Sequence, residues 1–199
     1  MGPTAIGCRQ NPYGAEPFET DGSHRVCLAR IDPRQRGVFG AAWTLGTIAA
    51  FARGGVEAIA IGAPTGPFGA IYRRTDYAQP HFDALGGSAV YPVWHVLAGL
   101  AHAAGQPMID AQPARPGTLD VLAHCTGEGV SVWLCNLTAQ PVTARLRGLP
   151  QGRRTASIIN ADSFERATTD ADWLNADGKP MANDSITLDA YAVARVLAS

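Results

Sequence analysis

The chain is 199 residues long, 46% hydrophobic and 17% charged, the make-up of an ordinary globular protein and not of a disordered one. Its 16 basic and 17 acidic side chains leave a formal charge of -1, which offers no electrostatic footprint to a nucleic-acid or anionic-membrane partner. The apolar run at residues 37–52 falls short of the roughly 20 residues a bilayer needs and contains Thr44 and Thr47, so no membrane span is expected; with no basic-then-apolar leader, a cytoplasmic location is expected.

In chain order, residues 4–9 read as a short strand that delivers Arg9 and Asn11 to its end. Residues 11–23 then form a loop whose Pro12, Gly14, Pro17 and Gly22 forbid regular structure, while Glu16, Glu19, Asp21 and His24 make it titratable. Asp32 is a good N-cap and Pro33 suits the first helical position, so a helix is expected to start there. Its apolar residues cover more than one face through residue 52, the pattern of a helix packed from several sides, and Gly54 and Gly55 stop it. Residues 56–61, apolar and partly β-branched, read as a strand buried on both faces, as in a parallel sheet.

A second long loop, residues 63–90, carries Arg73, Arg74, Asp76, His81 and Asp83; loops of this length in compact domains are usually functional or disordered. In the helix that follows, Pro92 stands near the start, Val93, Val96, Leu97, Leu100 and Ala101 fall on one stripe, and Gly105 ends it. His95 and His102 lie off that stripe and are read as surface or hydrogen-bonded structural groups. Trp43 and Trp94 are read as core.

From Gln106 the rhythm changes. Pro107, Pro113, Pro116 and Gly117 mark a linker, and residues 119–125, 130–137, 142–149, 155–159 and 186–197 read as closely spaced strands of an antiparallel sandwich. Trp133, Leu146, Leu188 and Val193 are its candidate core. Residues 160–184 carry Asp162, Asp170, Asp172, Asp177 and Asp184 at spacings that fit no calcium loop, and read as a solvated connection. Cys8, Cys27, Cys125 and Cys135 lack C-x-x-C spacing and are read as small buried hydrophobes; no metal and no cofactor is expected.

The fold class is therefore α/β followed by all-β, with residues 1–105 as two strand–helix units, 106–118 as linker and 119–199 as a C-terminal antiparallel β-sandwich. An eight-stranded α/β barrel takes about 250 residues, or about 31 per unit. Two units cannot close one, so they read as the last two units of a partial (β/α)8-type barrel, completed by an upstream barrel segment, or as a small open layer completed by a partner chain.

Particular motifs carry a family likeness: R-x-N-P at residues 9–12, D-P-R-Q at 32–35, F-G-A-A-W-T-L-G at 39–46, T-G-P-F-G at 65–69 and Y-P-V-W-H-V-L at 91–97. Together with the closing T-L-D-A-Y-A-V-A-R-V-L they resemble the carboxy-terminal part of the D-apionate lactonase family. That resemblance implies a TIM-type barrel followed by a β-sandwich, as in clan-A glycoside hydrolases, and an activity that opens the lactone of a branched sugar acid. Related members carry an acidic residue two positions before the Thr-Gly; this chain has Ala63 there.

Lactone opening needs an activated nucleophile, donors for the developing oxyanion and groups that hold the polyol. No G-x-S-x-G elbow is present. Barrel chemistry takes place at the carboxyl ends of the strands, which puts loops 9–24 and 63–90 on the active face. Arg9 and Asn11 are the candidates to hydrogen-bond substrate oxygens, Arg73 to stabilise negative charge, and His81 with Asp83 to act as general base. Asp32 and Arg34 are read as cap and helix-end contacts. Two other readings stand beside the lactonase: a glycoside hydrolase, which needs two carboxylates about 5–9 Å apart and would draw on Glu16, Glu19 and Asp76, and a non-catalytic carbohydrate-binding or structural remnant.

Overall fold

The computed structural model describes residues 4–7, 14, 16–176 and 178–199. Arg9, Asn11, Cys8 and Asp177 lie outside these described residues.

Asp32 caps as its sequence position suggests, accepting from the Arg34 N–H at 3.0 Å and from Arg34 Nε at 2.9 Å, but what it starts is a 3-10 turn, Pro33–Arg36. The helix proper, α1, is Val38–Arg53, separated from the turn by an extended Gly37. The break has a tertiary cause. Gln35 and Arg36 are both buried and reach away from the helix axis to the carbonyls of Gly69 and Gly22. The far end of α1 closes with two backbone bonds, Gly55 N–H to Ala52 O and Val56 N–H to Phe51 O, and Gly55 at φ +78 takes the left-handed position this requires.

After α1, residues 56–61 depart from expectation. They form no ladder: Ile61 makes one parallel bridge to Thr4, and the segment is half-buried to exposed. A strand of a parallel sheet is buried only by neighbours on both sides and by helices above and below, and among the described residues Thr4 is its bridging neighbour. The following loop and the start of the next helix build a small core from Ala70, Phe82, Ala89, Tyr91 and Val93. Helix α2, Val93–His102, packs beside α1. Trp43 and Trp94, expected in the core, are both half-buried, Trp94 donating Nε1 to Ala171 O at 3.0 Å.

The remaining strands are β1 (Met108–Ile109), β2 (Leu119–Cys125), β3 (Val130–Asn136), β4 (Val142–Arg145), β5 (Arg154–Ile159), β6 (Lys179–Pro180), β7 (Ser185–Leu188) and β8 (Val193–Ala198), with the short helix α3, Phe164–Thr169, between β5 and β6. They make a six-stranded antiparallel sheet ordered β1-β2-β3-β8-β5-β6 and a two-stranded sheet β4-β7. Alternation along the strands divides the residues between two cores. Val121, Val132, Leu134 and Val196 face Ile186 and Leu188 of the small sheet. Leu122, Trp133, Cys135, Ile159 and Val193 face Ala41, Ala42, Leu45 and Ala49 of α1. The large sheet therefore has the small sheet on one side and the α/β half on the other.

Several boundaries differ from the sequence reading. The segment read as linker contributes β1, whose Met108 and Ile109 pair with His124 and Ala123. The stretch 186–197, read as strand, is divided between β7 and β8 by a bend with Tyr191 at φ 57, where the carbonyls of Leu188 and Asp189 accept from the buried Asn136 side chain. The segment read as solvated, 160–184, contains α3 and buries Ala167, Thr168 and Leu174. Trp133, Leu188 and Val193 are buried as expected, with Leu146 packed at the edge of the core. Of the described cysteines Cys135 is buried and Cys125 half-buried, but Cys27 is exposed on a turn. No described helix is long and apolar enough to cross a membrane.

Candidate functional site

The two long loops are clasped together by the turn that precedes α1. Arg36 donates to Gly22 O of the first loop at 2.5 Å and lies 5.9 Å from the Tyr77 ring of the second, while Gln35 Nε2 donates to Gly69 O at 3.1 Å. A direct backbone bond joins the loops as well, Ala78 N–H to Asp21 O at 3.0 Å. Sequence reading missed Gln35 and Arg36. Nothing local signalled them: long polar side chains in a capped first turn are ordinarily exposed, and these are buried, reaching the distant carbonyls of Gly69 and Gly22.

Below this clasp, Asp32 is buried in a fork of Arg34 hydrogen bonds. Burial works to raise its carboxyl pKa, and the Arg34 bonds outweigh it, holding the group below the usual carboxylate range.

The second loop is organised on a buried glutamine. Gln79 donates its N–H to Asp83 Oδ2 at 2.7 Å and its Nε2 to Arg73 O at 2.8 Å and Thr75 Oγ1 at 3.0 Å, and accepts from the Tyr91 hydroxyl. Burial pushes the Tyr91 hydroxyl far above its ordinary pKa, with Tyr77 adding to the shift, so it stays a donor. Tyr72 donates to Asp83 Oδ1 at 3.0 Å; partial burial and then that bond raise its pKa also.

The sequence candidates fall within this framework as follows. Both oxygens of Asp83 accept from loop donors, Tyr72 and Gln79. His81, two residues away, turns to a different partner: its Nε2 lies 3.3 Å from Thr168 Oγ1 on α3, and its ring packs 5.1 Å from that of Phe82 and 5.0 Å from that of Phe164. The structure therefore does not join His81 and Asp83 as a hydrogen-bonded pair. The chain between them makes a 3-10 turn, Phe82–Ala84, that starts from His81 at φ 72 and ψ −57, so the ring and the carboxylate are held by separate anchors. Arg73 fixes Gln79 through its backbone carbonyl, and its guanidinium, on an exposed residue, makes no hydrogen bond among the described residues. Glu16 pairs with Arg30 at 3.2 Å on the surface, and Glu19 and Asp76 are exposed. Ala63 is exposed and bridges to Gly69. No group of three or more His, Cys, Asp or Glu among the described residues can hold a metal ion.

His95, read as a surface or structural group, is the latter: fully buried, it donates Nε2–H to Ala167 O at 2.8 Å. Burial is the main influence and depresses its pKa.

Comparison with known proteins bears on both halves. Residues 1–105 match the family profile of the D-apionate lactonase TIM barrel domain, and residues 116–196 that of the D-apionate lactonase C-terminal immunoglobulin-like domain. A D-apionate lactonase of Brucella anthropi is 31% identical over 146 residues, which is 73% of this chain and 22% of that protein. Among solved structures, a conserved exported protein of Bacteroides fragilis superposes with a TM-score of 0.58 at 11% identity, over 88% of this chain and 36% of its own. A glycoside hydrolase family 30 subfamily 8 xylanase of Clostridium acetobutylicum superposes with a TM-score of 0.55 at 14% identity, over 82% and 40%. At such identities the likeness is one of fold. The chain spans about a fifth of the curated relative's length and well under half of these structures.

Proposed function

Since the chain belongs to the D-apionate lactonase family, with a partial TIM barrel followed by an immunoglobulin-like domain, we propose that it supplies the closing part of a hydrolase that opens sugar-acid lactones such as D-apionolactone. The observation that carries this reading is the ordered match of both family domains along one chain. The remainder of the barrel would come from an upstream segment or a partner chain. The three described cysteines are free thiols, which suits a reducing, cytoplasmic setting.

In this reading water attacks the lactone carbonyl while His81 takes its proton. Arg73 faces the oxygen on which negative charge develops, and Arg9 and Asn11 hydrogen-bond the substrate hydroxyls. The ring C–O bond then breaks, the departing alkoxide receives the proton from the imidazolium, and the product is the open hydroxy acid. Asp83 acts by ordering the loop through Tyr72 and Gln79, not by pairing with His81.

The test is an assay of the purified chain, alone and joined to the sequence encoded immediately upstream, against D-apionolactone, other aldonolactones and aryl glycosides. Acid release from a lactone supports the proposal. Cleavage of glycosides alone, or inertness of the extended protein toward both, overturns it.

A further inference from the structure

We propose that Thr168, supplied by the all-β half, is a positioning residue that holds neutral His81 in its Nε2–H tautomer and leaves Nδ1 as the atom that accepts the proton. The inference rests on the reading of His81 as general base.

Thr168 is fully buried in the last turn of α3, and its hydroxyl has a single proton to give. Its Oγ1 lies 2.8 Å from Glu165 O, a carbonyl that can only accept, so the proton is committed there. The imidazole Nε2 at 3.3 Å consequently faces a lone pair and must itself carry hydrogen. In a neutral imidazole the other nitrogen then bears the free lone pair. Nδ1 of His81 has no hydrogen-bond partner among the described residues, and the ring is half-buried rather than enclosed.

A second set of contacts shows that this ring is held in place. His81 adopts φ 72 and ψ −57, a γ-turn form that residues with a Cβ rarely take and that persists only where the surroundings fix it. Those surroundings come from α3: Phe164 packs on the His81 ring, and the Thr168 backbone carbonyl accepts the Val90 N–H at 2.9 Å at the loop's far end. Residues 164–168 thus grip the loop at both the histidine and its exit, and they belong to the connection between β5 and β6.

The test combines kinetics with long-range proton–nitrogen correlation spectra of the 15N-labelled enzyme, the His81 signals being assigned with His81→Gln. The wild-type ring is expected to show the Nε2–H pattern. Thr168→Val, which removes the acceptor at nearly constant volume, is expected to shift the ring toward a tautomer mixture. It should lower kcat for lactone opening by about tenfold with KM little changed, and Thr168→Ser should restore both. An Nδ1–H pattern in the wild type overturns the inference without any variant having to fold, as does an unchanged spectrum in a folded Thr168→Val protein. If the wild type opens no lactone, the proposed function fails, while the spectra still decide the tautomer.

Discussion

Arg53 closes a two-point ion pair on Asp120, Nη1 to Oδ1 at 2.6 Å and Nη2 to Oδ2 at 2.8 Å, and so ties the last turn of α1 to the first long strand of the sandwich. The carboxylate side is buried, and its remaining donor is the Val121 N–H at 2.8 Å. Arg53→Ala should therefore strand a buried charge. With the arginine side chain 29% exposed, solvent screening trims the expected loss to about 1–3 kcal/mol. Urea unfolding measures it, and adding Asp120→Asn should recover part of the loss; a single variant as stable as the wild type would show the pair to be ornamental.

Stability should also depend on pH through His95. Its folded pKa lies below the unfolded value of 6.5 because burial penalises the cation, with the Ala167 carbonyl, Asp170 and Asp172 pulling weakly the other way. The unfolded chain thus binds a proton that the folded one refuses. The stabilisation is complete above pH 6.5 and is lost as pH falls below it, at about 1.4 kcal/mol per pH unit until the folded pKa is reached. Denaturant midpoints should be level between pH 7.5 and 6.5 and fall as pH drops below 6.5, and His95→Gln should flatten that fall.

Gly99 on α2 is where the helix meets the indole of Trp133. A Cβ there would fall well inside contact distance of Trp133 Cη2 and Asn175 Oδ1, and Trp133 is fully buried. Gly99→Ala gains helix propensity but must push α2 off the sheet, for a net loss of about 1–3 kcal/mol. A melting temperature equal to or above that of the wild type would mean the interface is looser than its geometry indicates.

Arg73 allows function to be separated from stability. Its guanidinium makes no hydrogen bond among the described residues, so Arg73→Ala should leave the melting temperature within about 1 °C, as surface changes generally do. If it faces the substrate's developing charge, loss of a charge-assisted bond should lower kcat/KM by about tenfold or more. Equal kcat/KM for variant and wild type would remove Arg73 from the site.

The helices and long strands were legible because their signals are local. The stripe of Val93 and Val96, the Gly54-Gly55 stop and the alternation of Val132, Trp133 and Leu134 each act within a few residues. What was not legible depended on distant partners. Residues 56–61 have the composition of a doubly buried strand, but burial requires neighbours that composition does not supply. Residues 160–184 look solvated from their aspartates, yet Ala167, Thr168 and Leu174 are buried by contacts from an element more than 60 residues earlier, such as His95 to Ala167. At the site, the sequence places Asp83 near His81, but a spacing of two does not establish contact. The chain instead turns between them, and the carboxylate answers to Tyr72 and Gln79.

The large sheet's double cover has a practical consequence for anyone dividing this protein. Severing it near residue 112 would separate two family domains on paper but leave each fragment with a bare flank: Ala41, Ala42, Leu45 and Ala49 would lose the surface they rest on, and Trp133 would meet water. Neither piece should melt cooperatively by itself, whereas the two mixed together should reassemble, as a cleft kernel closes again along its own grain.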